Sequence, residues 1–183
     1  MQLSKNTQKY LDCYCDILSE MQSQMTSVRF SGNISIDFIK QMIPHHRGAI
    51  KMSELLLEYT TNIPLQNIAL DIISEQRESI ESMESIIPLC SRGFNPPQAQ
   101  RMYYDENRKI LNNMFRCMHN ACSDNSIDIS FMREMIPHHL GAIAMSENAL
   151  RFGICRELIP ILRDIISSQK KGVCQMRELL PEK

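Results

Sequence analysis

Histidine and methionine recur together at two places in the chain, in a spacing that could bind a soft metal ion. Residues 38–54 read Phe-Ile-Lys-Gln-Met-Ile-Pro-His-His-Arg-Gly-Ala-Ile-Lys-Met-Ser-Glu, and residues 131–147 repeat the pattern 93 positions later. Four of the five histidines in the chain lie in these two segments. Because histidine is scarce and stands beside methionine both times, the pattern indicates a chemical role.

Helical spacing places these side chains on one face. Residues three, four, seven and ten apart share a face of an α-helix, so Met42, His45 and Met52 line one stripe, with His46 beside it. Met83 lies on the apolar stripe of a later helix, where core packing is the first interpretation and metal contact the second. The second copy repeats the set. The candidate metal ligands are Met42, His45, His46, Met52, Met83, Met135, His138, His139, Met145 and Met176.

The donor atoms of this stripe favour one metal. Thioether sulfur is soft, and Cu(I) binds it well together with imidazole. Zinc prefers histidine with cysteine or carboxylate, and magnesium and calcium prefer oxygen. Glu54 and Glu147 follow the histidines about half a turn out of phase at 100° per residue, so we expect them to face solvent. The stripe therefore predicts copper, preferably Cu(I), as the cofactor.

The repeat extends beyond this motif and predicts an all-α fold. The two copies align without a gap, which indicates duplication of one unit. Apolar residues recur at alternating steps of three and four, and no alternating strand pattern competes. Each unit predicts three helices, over about 5–29, 35–59 and 64–87 and over about 100–121, 128–151 and 156–180. We expect units at 1–88 and 99–183, joined by a linker at 89–98 that is rich in helix breakers.

Several residues carry more local expectations. Ser35 and Asp128 are suitable N-caps for the second helix of each unit. Pro44 and Pro137 fall inside these helices and predict a kink or a restart. Gly48, one turn after Pro44, could allow close approach of a neighbouring helix, and its copy Gly141 does the same.

Two buried amides also need partners. Gln76 and Gln169 fall in the apolar stripes of the third helices, where a polar side chain requires a hydrogen bond. Each could bond to an imidazole N–H or to the backbone carbonyl that the proline leaves free.

The charge and cysteine content of the chain indicate which partners and which cellular compartment to expect. The formal net charge is −1 and no basic run occurs, so we expect no nucleic acid and no anionic membrane as partner. No export signal or transmembrane run is visible, which predicts a cytoplasmic protein, or a periplasmic or extracellular one if a signal was trimmed. The seven cysteines favour free thiols in a reducing compartment over a set of disulfides. A minor alternative is a thiolate–imidazole site at Cys117, His119 and Cys122.

The motif Met-Ile-Pro-His-His-x-Gly-Ala-Ile-x-Met-Ser resembles the hallmark of the family named domain of unknown function 305. The resemblance covers almost the whole chain. It implies a ferritin-like helical bundle, and some members are copper-resistance proteins that hold Cu(I) through Met and His. A second family element, Gln-x-x-Glu-Ile-x-x-Met, is matched only in part, because its Glu is Ser79 in the first unit and Gly172 in the second.

Together these patterns predict a ferritin-like antiparallel bundle of two tandem three-helix repeats that binds copper without being an enzyme. Its expected role is copper storage, buffering or resistance, with one site in each unit or one shared between them. A homo-oligomer is compatible with the pattern. One alternative is a ferritin-like metal-dependent oxidoreductase, which would need inward Glu at Glu-x-x-His spacing. The other is a metal-free helical interaction module.

Overall fold

Six helices make up most of the computed structural model, which describes residues 3–121 and 124–181. No strand occurs in these described ranges, so the predicted all-α fold of two three-helix repeats is confirmed. No helix in them is long and apolar enough to cross a membrane. The helices are α1 (Lys5–Thr26), α2 (Ile34–Leu57), α3 (Ile63–Cys90), α4 (Pro97–His119), α5 (Ile127–Ala149) and α6 (Leu158–Leu179).

The second helix of each repeat starts slightly earlier than predicted. The side-chain oxygen of Asn33 accepts hydrogen bonds from two backbone N–H groups in the first turn of α2. Ser126 caps α5 in the same way through one such bond. The predicted caps Ser35 and Asp128 are therefore wrong by two residues. The Ser35 hydroxyl instead accepts a hydrogen bond of 2.8 Å from the backbone N–H of Cys155.

The helices do not end or restart at their internal prolines, so of the predicted kink or restart the restart is wrong. The helix α2 runs without interruption across Pro44, and α5 does so across Pro137. The helix α3 continues through Pro88 to Cys90, although the sequence predicted an end before this proline. Continuing α3 costs one backbone hydrogen bond but brings Cys90 into the core, where it is 2 % exposed. In α6, Pro160 lies in the first turn, where its missing N–H is tolerated.

The helices that carry the histidines lie at the centre of the bundle. The helix α2 packs against α1 and α3, and α5 packs in the same way against α4 and α6. The two repeats meet through α2 with α5 and through α3 with α6. Both faces of α2 and α5 are thus covered, which explains why most of their side chains are buried.

The predicted close approach at glycine is confirmed. A Cβ atom on Gly48 would lie 2.5 Å from the sulfur of Met21, and one on Gly141 would meet Met114 in the same way. The thioethers of Met21 on α1 and Met114 on α4 thus occupy the space that a side chain at Gly48 on α2 or Gly141 on α5 would need. The sequence therefore needs glycine here because a methionine fills the adjacent space.

One disulfide corrects the expectation of free thiols. Cys90 and Cys155 are joined, with their Cα atoms 5.3 Å apart. The bond links the end of α3 to the loop before α6, so it connects the two repeats. The free thiols in the described part of the chain are Cys13, Cys15, Cys117 and Cys174. Cys122 lies outside the described residues, so the alternative thiolate–imidazole site, which needs Cys122 together with Cys117 and His119, is not tested.

Candidate metal centre

The four motif histidines meet where α2 crosses α5. Each is at most 1 % exposed. The rings of His45 and His138 come from different repeats, and their centroids are 3.7 Å apart at an interplanar angle of 31°. His46 and His139 each lie 5.9 Å, centroid to centroid, from the other histidine of their own pair. We call these four rings the histidine cluster, which connects the two repeats.

Few of the imidazole nitrogens in the histidine cluster have a hydrogen-bond partner. The Nε2 of His138 lies 3.2 Å from the carbonyl oxygen of His45, so it must carry the proton and its Nδ1 must carry the lone pair. The Nε2 of His46 lies 3.0 Å from the hydroxyl of Ser79. Among the described residues, both nitrogens of His45 and the Nδ1 of the other three rings are buried and have no partner in hydrogen-bond geometry. The rings of His45 and His139 lie near the backbone of His138 and Met135, which opposes part of the lowering of their pKa, but neither contact meets the distance and angle of a hydrogen bond.

Burial keeps these imidazoles neutral. Desolvation lowers the pKa of His46 to about 3 and that of His138 to about 4. The pKa values of His45 and His139 are also lowered, chiefly by burial and further by the charge that His138 would carry if protonated. A neutral imidazole has a free lone pair, which is the state that binds a metal.

The six candidate methionines are also in the interior. Each is at most 1 % exposed, and Met42 and Met135 lie one turn before the histidine pairs on the same helix face. Among the described residues, no three histidines bring one nitrogen each to within 4.8 Å of one another. A metal ion bound by two imidazoles would therefore need a different ligand to complete its coordination, and sulfur is the donor that the helix register supplies.

The carboxylates of Glu54 and Glu147, at the end of each motif, face solvent, as predicted. Glu54 accepts a hydrogen bond of 2.8 Å from Arg77, and Glu147 lies 3.3 Å from Lys170. Both acids are about half exposed. They connect the second and third helices of each repeat on the surface and are not part of the histidine cluster.

Sequence reasoning missed a buried acid on α5. Glu134 is 4 % exposed, and its carboxylate accepts a hydrogen bond of 3.0 Å from the hydroxyl of Tyr10 in the other repeat. The equivalent residue in the first repeat is Gln41, which accepts a bond of 2.7 Å from Asn107. Glu134 stands four residues before His138, so the shared helix face was a signal that could have identified it.

The buried carboxyl of Glu134 should make the stability of the protein fall as pH rises between 4.5 and about 8. Burial raises its pKa from 4.5 to about 8, so the folded state holds a proton that the unfolded state releases between these values. Stability therefore falls as pH rises towards 8, by about 1.4 kcal/mol per pH unit. Glu134→Gln, which copies Gln41, should remove this dependence. Urea unfolding between pH 6.5 and 8 measures it, with exposed Glu147→Gln as control; equal slopes in both variants would contradict it.

The third helices face the cluster with small side chains. Ser79 bonds to His46, and a Cβ on the equivalent Gly172 would lie 2.9 Å from two atoms of the His139 ring. In the family that the His–Met motif resembles, the expected residue at these two positions is Glu. The carbonyl oxygens of Gln76 and Gln169 are buried and accept no hydrogen bond within the described chain, so the expected bond from an imidazole N–H is absent.

Two solved structures are similar to this chain in fold. A crystal structure of a DUF305 fragment from Deinococcus radiodurans is similar at 23 % identity and a TM-score of 0.56, covering 80 % of this chain and 94 % of that one. CopM, solved in its Cu(II)-bound form, is similar at 26 % identity and a TM-score of 0.58, covering 79 % and 94 %. No curated protein matches the chain.

The family assignment rests on most of the chain. The profile of the domain of unknown function (DUF305) matches residues 35–180, which include both His–Met motifs and all six candidate methionines. The matched range begins inside α2 and ends just after α6, so it covers five of the six helices at least in part. This protein therefore belongs to the DUF305 family.

Proposed function

We propose that this protein is a non-enzymatic copper-binding protein that stores, buffers or passes on Cu(I) through the histidine cluster. The observation that carries the proposal is the set of buried imidazole nitrogens without hydrogen-bond partners. A buried polar atom left unpaired costs about 1–3 kcal/mol, so several in one place need a compensating ligand. A metal ion accepts the same lone pairs.

The donor chemistry selects the ion. Neutral imidazoles stand beside an interior rich in methionine, and Met42 and Met135 are the thioethers nearest to the pairs along the helices. Soft sulfur with imidazole suits Cu(I) better than zinc or the hard divalent ions. The proposed ligands are the ten residues predicted from the sequence, with the histidines as the principal ones. The similarity to a Cu(II)-bound structure supports copper as the metal.

An oxidoreductase with a carboxylate di-metal centre is the competing function, because ferritin-like bundles use inward carboxylates for it. The buried acids in the described parts of the helices α2 and α5 are Asp37 and Glu134. Asp37 accepts a hydrogen bond from the hydroxyl of Tyr104, and Glu134 accepts one from the hydroxyl of Tyr10. None of the four histidines has a Glu three residues before it, because these positions are occupied by Met42, Ile43, Met135 and Ile136. The ligand pattern therefore favours binding over oxidation chemistry.

A Cu(I) competition titration against a chromophoric chelator tests the proposal. The free cysteines should first be replaced by serine, because thiolates bind Cu(I) themselves. Replacing His45, His46, His138 and His139 by Ala should weaken Cu(I) binding by more than about 100-fold, the upper range for loss of a residue that only supports a ligand. Circular dichroism checks that each variant is folded.

A methionine pair provides the matched comparison. Met42→Leu with Met135→Leu should weaken binding, whereas Met25→Leu with Met118→Leu changes equally buried thioethers on α1 and α4 and should not. Leu replaces Met at a small cost in packing, so these variants separate lost ligands from lost stability. Unchanged affinity after loss of all four histidines would reject the proposed function.

A further inference from the structure

A cavity between α3 and α6 leads from solvent to the histidine cluster. Its volume is about 270 Å³, and His46 and Ser79 form part of its wall. Three other cavities in the described part of the chain, of about 200–310 Å³, have no histidine in their walls. This cavity thus connects the buried imidazoles with the surface, although the ring of His46 is only 1 % exposed.

Polar oxygens line the inner part of this cavity. Gln76 and Gln169 occupy equivalent positions in the two repeats, both line the cavity, and they are 1 % and 2 % exposed. Their carbonyl oxygens accept no hydrogen bond from the described residues. With the Ser79 hydroxyl, which lies 3.0 Å from His46, they provide three side-chain oxygens in the wall of the cavity that reaches this imidazole. A cation passing through would satisfy these oxygens.

The mouth of the cavity is acidic. Glu75, Glu78 and Asp164 line it. Lys171 lies 3.4 Å from Glu75 and also 3.4 Å from Asp71, so its positive charge compensates the negative charge of these two acids. Among the described residues, neither Glu78 nor Asp164 forms an ion pair, so negative charge remains at the opening. Clefts lined by one sign of charge raise the local concentration and the association rate of the opposite ion.

We propose that this α3–α6 cavity is the port through which Cu(I) reaches the histidine cluster, with the Gln76 and Gln169 carbonyl oxygens and the Ser79 hydroxyl as a transit site. The inference rests on the proposed copper function. Oxygen donors hold soft Cu(I) weakly, whereas imidazole and thioether hold it well. The ion therefore passes inward from the oxygens to His46 and is not retained at the port.

The port predicts a change in rate without a change in affinity. Cu(I) would be supplied as its acetonitrile complex to protein without free thiols, and uptake followed by stopped flow against a chromophoric chelator. Gln76→Leu with Gln169→Leu should slow uptake about tenfold, while the equilibrium affinity stays within about threefold of wild type. Glu78→Gln with Asp164→Asn should slow uptake several-fold at low salt, and this difference should shrink at high salt because screening weakens the attraction.

A charge-matched control removes two acids elsewhere. Asp16→Asn with Glu58→Gln changes the net charge equally at exposed positions outside the cavity and should leave the rate unchanged. Uptake by both port variants at the wild-type rate, with the histidine cluster still binding Cu(I), would overturn the port alone. Absence of Cu(I) uptake by the wild-type protein would overturn the proposed function and the port together.

Discussion

Acidification below pH 6.5 is expected to unfold the metal-free protein within about two pH units, because four imidazoles are buried in neutral form. The pKa values of His46 and His138 fall from 6.5 to about 3 and about 4, and those of His45 and His139 are lowered as well. Between pH 6.5 and 4 the unfolded chain binds protons that the folded chain does not. Stability is therefore fully present above pH 6.5 and is lost as pH falls.

The expected effect is large compared with the stability of a domain. Each imidazole contributes a slope of about 1.4 kcal/mol per pH unit where it is protonated only in the unfolded state. Four imidazoles together therefore outweigh the opposite slope of the single buried carboxyl of Glu134. The whole free energy of unfolding of a domain is about 5–15 kcal/mol. The combined loss from the four imidazoles within one or two units approaches the full stability.

Urea unfolding at successive pH values, followed by circular dichroism, measures this slope. Replacing one member of the cluster, as in His138→Gln, should reduce the slope by about 1.4 kcal/mol per pH unit, since one of the four titrating imidazoles is lost. The exposed His119 provides the control, because His119→Gln should leave the slope unchanged. Excess Cu(I) should move the transition to lower pH, because metal and proton compete for the same lone pairs. A wild-type protein that stays folded at pH 4 without metal contradicts the prediction.

Periodicity was sufficient to predict the helices and their inward faces. The alternating steps of three and four in α1, and the His–Met stripe in α2, identify which side of each helix is buried, and the structure buries these residues. The gap-free repeat predicted that the second half of the chain would fold like the first. These inferences depend on local spacing, which the sequence contains directly.

Contacts between helices were harder to predict, because spacing gives the face of a helix but not its partner. The stacking of His45 on His138 needs the crossing of α2 with α5, which no local pattern encodes. The disulfide of Cys90 with Cys155 breaks the repeat, since neither cysteine has a copy 93 positions away. Competing caps also decided boundaries: Asn33 offers two hydrogen bonds to α2, so the helix begins before Ser35.

Removing the histidine pair of one repeat is expected to abolish tight Cu(I) binding by the whole protein, instead of halving it. The rings of His45 and His138 are 3.7 Å apart, so two ions bound independently at these imidazoles would lie in one small, poorly screened space. The backbone carbonyl of His45 also accepts a hydrogen bond from the Nε2 of His138, so the position and tautomer of one histidine pair depend on the other pair. One shared centre is the arrangement that this geometry favours.

Stoichiometry under competition distinguishes a shared centre from two separate ones. At a chelator concentration that leaves the wild type loaded, His45→Gln with His46→Gln should retain almost no Cu(I), and so should His138→Gln with His139→Gln. Met25→Leu with Met118→Leu serves as the folded control and should bind as the wild type does. Retention of half the copper at wild-type affinity in each double variant would show instead that each repeat binds its own ion, because a shared centre cannot keep its affinity after losing half of its imidazoles.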